Sequence, residues 1–200
     1  MKRLCAALLC AGSAFAWAAA ETYRIDPAHT HPGFEVSHLG ISTQRGRFDR
    51  TTGNIALDRE AGTGSVAIEI DATSISTGTP LLDTALRGED FFDVARYPRL
   101  SFHSGRIVFD HGVPAGAQGE LTLLGVTRPV ELLINRFACT RKPFLVRTTC
   151  GADITATISR SAFGMTSYAT FIGDEVRLVI QIEAVKEESA PAPPTLSPGG

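Results

Sequence analysis

The chain has 200 residues, with 19 basic against 21 acidic side chains and a formal net charge of −2. That length suits one domain with a substantial core. The basic residues are scattered along the chain, which argues against nucleic acid and anionic membrane surfaces as partners.

The first predicted element is a targeting segment. Met1-Lys2-Arg3 is basic, Leu4 to Ala14 is apolar, and small residues follow up to Ala20. This reads as a signal peptide over residues 1–20, because the apolar stretch is too short to span a membrane and no stop-transfer flank follows. Cys10 lacks the small residue that a lipoprotein site needs just before its cysteine. The expectation is a periplasmic or secreted protein whose mature chain has no integral membrane segment. Losing Lys2 and Arg3 moves the net charge to about −4.

The segment from Tyr23 to Asp49 follows. It holds three of the five histidines, His29, His31 and His38, and Phe34, Val36 and His38 share one strand face. With its glycine-marked turn it reads as a first β-hairpin. The same alternation continues in Val66, Ile68 and Ile70, in Val130, Leu132 and Ile134, and in Val176, Leu178, Ile180 and Ile182. Period two with one apolar face is the pattern of antiparallel strands over a core. Turn signals separate the runs at Thr52-Gly53-Asn54, Ala61-Gly62-Thr63-Gly64, His111-Gly112-Val113-Pro114, Leu124-Gly125-Val126 and Gly173-Asp174. Many closely spaced strands without parallel crossovers imply a barrel or sandwich.

One segment departs from this pattern. Thr79-Pro80 predicts a helix start, with Thr79 as cap and Pro80 at the first position. Leu81, Leu82, Ala85 and Leu86 fall on one helical face, and Gly88 ends it. A second short helix is expected from Asp90, carrying Phe91, Phe92 and Val94 and stopping before Pro98. This helical insert, around residues 80–95, could close one end of a barrel.

Cys139 and Cys150 are the cysteines that remain after signal removal. An exported compartment makes a disulfide between them the expected state, stapling adjacent strands across a turn at Lys142-Pro143. The Pro-rich end, residues 187–200, cannot form a packed element and is expected to be disordered. The domain is therefore expected over residues 21–186.

Four blocks carry a family resemblance. They are Asp26-Pro27-Ala28-His29-Thr30 through Gly46-Arg47-Phe48, then Leu86-Arg87-Gly88-Glu89-Asp90-Phe91-Phe92-Asp93 with Tyr97-Pro98-Arg99-Leu100-Ser101-Phe102, then Gly119 to Val130, and finally Arg160 with Phe163-Gly164-Met165. In this order they resemble the YceI-like family. The resemblance implies an all-β fold, an elongated eight-stranded antiparallel barrel similar to lipocalins, holding a long-chain lipid such as a polyisoprenoid, quinone or fatty amide in its lumen. The Cys139/Cys150 pair and the Pro-rich tail are additions to the family pattern.

An eight-stranded barrel has room for packed side chains or for one slender ligand. The candidate ligand-contacting residues are Phe34, Val36, His38, Phe48, Phe91, Phe92, Leu100 and Phe102, an apolar set with one polar member. Arg87 is added as a candidate clamp for an anionic headgroup, as is Arg160 with a weaker claim. No cofactor is expected beyond a bound isoprenoid-type lipid, and whether the protein forms a homodimer is left open.

Two other readings compete. His29 and His31, two apart, could act with His38 in a metalloenzyme or hydrolase, yet Pro32 follows directly and no third ligand is fixed in sequence. The chain has no Gly-x-Ser-x-Gly elbow, phosphate-binding glycine loop or His-Glu-x-x-His motif. Alternatively, the phenylalanines could fill the interior of a ligand-free structural protein.

Overall fold

A computed structural model describes residues 20–141 and 147–188. The expected signal peptide up to residue 19, the Lys142-Pro143 turn and residues 189–200 of the tail lie outside the described residues.

The alternating runs form strands. In chain order they are β1 (Glu21–Ile25), β2 (His31–His38), β3 (Ser42–Phe48), β4 (Thr51–Asp58), β5 (Thr63–Asp71) and β6 (Ile75–Ser76). After one helix, α1 (Pro80–Arg87), come β7 (Arg99–Asp110), β8 (Val113–Leu123), β9 (Val126–Thr140), β10 (Thr149–Ser159) and β11 (Ile172–Lys186). Period-two alternation buries one face of each, including Ile68 and Ile70 on β5 and Leu100 and Phe102 on β7.

Eleven strands fill eight lanes. β1 and β2 lie end to end along β11, with Tyr23–Ile25 against Lys186–Ala184 and His31 to His38 against Gln181 to Ile172. β3 pairs with β2 and β4 with β1, and then β6 pairs with β3 and β5 with β4. β7 to β11 follow as an antiparallel meander, and the β1–β11 pairing closes the barrel. The expected first hairpin is therefore narrower than Tyr23 to Asp49. Only β2 and β3 form it, because β1 takes β4 and β11 as partners.

Two predicted turns fall inside strands. Gly53, read as the centre of a turn, sits within β4 with φ of 149°, and a Cβ there would lie 2.2 Å from the Ala67 carbonyl oxygen. The glycine serves close approach of two backbones and not chain reversal. Gly173-Asp174 lies at an irregularity of β11 between Ile172 and Val176. The reversals at His111-Gly112 and Leu124-Gly125 are two-residue loops with positive φ at both positions (47° and 77°, 52° and 72°), the geometry that suits strand twist.

The insert follows β6, which pairs with β3 but leaves its other edge without β7. α1 covers that gap. Thr79 occupies the cap position, but its side chain makes no capping bond. Asp83 instead accepts from the Thr77 N–H and hydroxyl, at 2.7 and 2.6 Å. Leu82 and Leu86 face inward, whereas Leu81 and Ala85, expected on the same face, are exposed. The second helix expected from Asp90 is absent. Phe92, Asp93 and Val94 donate their N–H groups back to Leu86, Gly88 and Arg87, and Asp93 adopts φ of 41°. The segment thus folds over the end of α1 as successive turns, which breaks the i to i−4 ladder a helix needs.

Cys139 and Cys150 are register partners on β9 and β10 and are joined by a disulfide. The barrel therefore has two unlike ends. One carries the β2–β3 turn, α1 with the following turns, and the loop between β10 and β11. The other carries both ends of the barrel domain and the disulfide.

A lipocalin-like cavity and its polar ends

The barrel encloses a cavity of about 490 Å³. Its walls are almost wholly aliphatic and aromatic, and include Val176, Leu178, Ile180 and Ile182 of β11 and Val66, Ile68 and Ile70 of β5. The alternative of an interior filled by side chains does not describe this barrel.

Phe34, Val36, His38, Phe48, Phe91, Phe92, Leu100 and Phe102 all contribute to the cavity wall. Phe34, Phe48 and Phe92 form an aromatic cluster, with Phe48 and Phe92 edge to face at 5.4 Å between ring centres and Phe34 about 6 Å from each. Phe92 reaches it from the turns after α1, so the insert closes one side of the chamber. Gly46 on β3 lies beneath the Phe34 ring, where a Cβ would come within 2.4 Å of it. The bare backbone lets the ring lie flat across the wall.

Arg87 does not line the cavity. Its guanidinium donates to the carbonyls of Thr73 and Ile75, at 2.9 and 2.8 Å, and so fastens α1 to the segment before it. Both contacts are to backbone carbonyls of the chain itself. Arg160 does line the cavity, is only 4% exposed, and donates to the carbonyls of Gly173, Met165 and Ile172.

The polar wall residues divide between the ends. His38, Gln44, Arg45, Thr77 and Arg160 stand at the insert end, whereas Tyr23, Thr30 and Thr51 lie away from it. At the insert end Thr77 is bonded to Asp83 and Arg45 to Glu35, while His38 and Gln44 have no side-chain hydrogen bond among the described residues. Away from it, Thr30 donates to the Glu183 carbonyl and Tyr23 to Glu21, and the buried Thr51 hydroxyl has no partner among the described residues. Burial, then the hydrogen bond to Glu21, pushes the Tyr23 hydroxyl up to about 12. Sequence reading missed Gln44, Thr51 and Tyr23, since a lone polar residue in a strand does not announce which side of a barrel wall it faces.

The histidines do not converge. His29 lies in the turn before β2 and bonds Asp26 through Nδ1 at 2.8 Å, which raises the imidazole and lowers the carboxyl from their ordinary ranges. His31 is half-buried and closest to Asp49, at 4.0 Å, and His38 is in the cavity wall. Among the described residues, the group with metal-ligand proximity is Asp26, His29 and Glu183, not the His29/His31 pair. Asp26 already accepts from Ala28 and His29, so these atoms are engaged in shaping the turn.

Several carboxyls sit below their ordinary range because hydrogen bonds favour the charged form. Glu21 is held by Lys186, Asp26 by His29, Glu35 by Arg45, Asp83 by Thr77 and Asp174 by Ser159. A lowered carboxyl contributes stability above the usual carboxylate range and loses it as pH falls through its folded value. His29 has the opposite sign, its contribution fading as pH rises. The melting temperature is therefore expected to fall steadily between about pH 5 and pH 2. A flat profile there would mean that these bonds contribute nothing.

A closed antiparallel barrel around an apolar chamber with a few placed polar groups defines a lipocalin-like barrel. The model of the YceI-like domain matches residues 23–184, and the chain belongs to the YceI-like family. Protein YceI of Escherichia coli is 30% identical over 174 residues, covering 86% of this chain and 90% of that protein. A Vibrio campbellii relative is 34% identical over 116 residues, and the match spans 61% of that protein and 56% of this chain. Among solved structures, Burkholderia cenocepacia BcnA superposes with a TM-score of 0.65 at 21% identity, covering 80% of this chain and 98% of that one. A polyisoprenoid binding domain from Saccharophagus degradans gives 0.60 at 18% identity, covering 82% and 98%. These two likenesses establish the fold.

Proposed function

We propose that this protein is a non-catalytic carrier or store for a long-chain amphiphilic lipid, such as a polyisoprenoid, quinone or fatty amide, working in the periplasm or outside the cell after loss of residues 1–20. The observation that carries this reading is the apolar 490 Å³ chamber. The fold shared with a polyisoprenoid binding domain supports it. The lipid itself is the expected guest, and the reading invokes no metal or catalytic cofactor.

The binding mechanism is desolvation. Apolar surface leaving water contributes about 25 cal/mol per Å², so burying about 300 Å² of a prenyl chain gives a gross gain of about 7.5 kcal/mol before the costs of association. The tail would run along the aliphatic walls of β5 and β11. The headgroup would sit at the insert end, where His38 and Gln44 have uncommitted hydrogen-bonding capacity. Organic extraction of natively purified protein, followed by mass spectrometry, is expected to release one long-chain species. Protein that is consistently empty and also ignores added prenyl alcohols and quinones would overturn the reading.

A further inference from the structure

Nine large apolar side chains are exposed among the described residues, and five of them are at the insert end. Ile41 and Leu81 are each 82% exposed, Tyr168 and Phe171 53%, and Leu39 49%. They come from three separate segments, so their gathering is a product of the fold and not of local sequence.

The segments are tied together. The Leu39 N–H donates to the Phe171 carbonyl at 2.6 Å, joining the β2–β3 turn to the β10–β11 loop. The Phe171 N–H donates to the Tyr168 carbonyl, and the Tyr168 ring stacks on Phe91 at 5.8 Å and 9° between planes. Phe91 is itself part of the cavity wall. Leu39 and Ile41 are flanked by the wall residues His38 and Gln44, Phe171 adjoins Ile172 of the wall, and Leu81 adjoins Leu82. Gln44 pairs with Val36 on the inward face of β3 and is nonetheless exposed, so the cavity reaches solvent beside this strand. The exposed apolar rim and the apolar lumen are thus one continuous surface around the mouth.

We propose that this rim docks shallowly into a lipid bilayer and sets the cavity mouth against the membrane. The inference rests on the lipid-carrier reading, because a mouth sealed on the membrane spares an apolar guest the passage through water. Amphipathic surfaces seat themselves in this way, with aromatic rings favoured at the headgroup level. The charges at the mouth point to a zwitterionic surface. Arg45 and Arg177 are both bonded to Glu35, at 2.8 and 3.3 Å, and Asp90 accepts from Ser167 and Tyr168. Apolar insertion, not attraction to anionic lipid, would then carry the contact.

Flotation of the mature protein with phosphatidylcholine vesicles tests this. The wild type is expected to float with the vesicles and to remain bound in about 0.5 M salt, which screens exposed charges. An Ile41→Ser/Phe171→Ser double variant, altered only at exposed side chains, is expected to lose about fivefold or more of its bound fraction. Its extractable lipid should match the wild type. No flotation of the wild type, equal flotation of the variant, or release by salt would each overturn the proposal. So would a dimer that the double substitution dissociates, since the rim would then be a contact between copies. Extraction of the same samples separates the two claims. A loaded protein that does not float defeats the docking alone, and an empty protein with rim-dependent flotation defeats the carrier reading alone.

Discussion

Replacing Arg160 by Met is expected to cost about 3–5 kcal/mol of folding stability, the scale on which the loss of a donor by several buried acceptors acts. Arg160 is buried, and its three nitrogens each donate to a different backbone carbonyl, at Gly173, Met165 and Ile172. Its own backbone joins the same knot, with its N–H bonded to the Asp174 carbonyl and its carbonyl accepting from Phe163 and Met165. Methionine fills part of the volume and leaves three carbonyls without donors. For a domain of this size the loss corresponds to a fall in melting temperature on the order of 10 °C. Lysine should recover only part of it, because one ammonium cannot reproduce a planar fork reaching three acceptors. A Met variant that melts within about 2 °C of wild type would show that the knot is dispensable.

The second large effect concerns the disulfide. Cys139 and Cys150 close a short loop between β9 and β10, with 11 residues of sequence separation. The chain-entropy model assigns a loop of this size about 3 kcal/mol, acting mainly by restricting the unfolded chain. Cys139→Ala/Cys150→Ala is therefore expected to unfold at lower denaturant concentration, with a slope close to that of the wild type. Reduction of the wild type should reproduce the shift. Cys150 is also buried in the cavity wall, so part of any larger loss would come from the sulfur's packing. Equal midpoints for oxidised wild type and double variant would refute the stabilising role.

Much of the barrel was legible because its pattern is local. Phe34, Val36 and His38 alternate, as do Val176 through Ile182, and period two assigns the inward face without knowledge of partners. Thr79-Pro80 marked the start of α1 in the same way. What escaped were features that depend on distant chain. Gly53 looks like a turn residue until Ala67 is beside it, and Asp90 looks like a helix cap until the chain bends back on Leu86 and Gly88. The division of β1 and β2 between different partners also has no local signature.

The two arginines make the same point for the site. Arg87 and Arg160 are alike in sequence, each near a short helical turn, and both could have faced a headgroup. Both donate to backbone carbonyls, and what separates them is place: Arg160 is buried in the cavity wall, whereas Arg87 lies outside it and ties α1 to Thr73 and Ile75. The polar wall positions Gln44 and Thr51 were illegible for a related reason. Their side of the sheet follows from register across β2, β3 and β4, which no single strand encodes.

The sharing of one lane by β1 and β2 also constrains the order of folding. The meander from β7 to β11 joins neighbours in sequence and can zip up hairpin by hairpin. Tyr23 to Ile25, by contrast, must meet Ala184 to Lys186, near the far end of the domain. Among the strand pairings this one joins residues farthest apart in sequence, the kind of contact that slows folding, and strands already zipped between them shorten the loop it must close. Without β11 neither β1 nor β2 has its partner across the seam, and the ring of strands stays open.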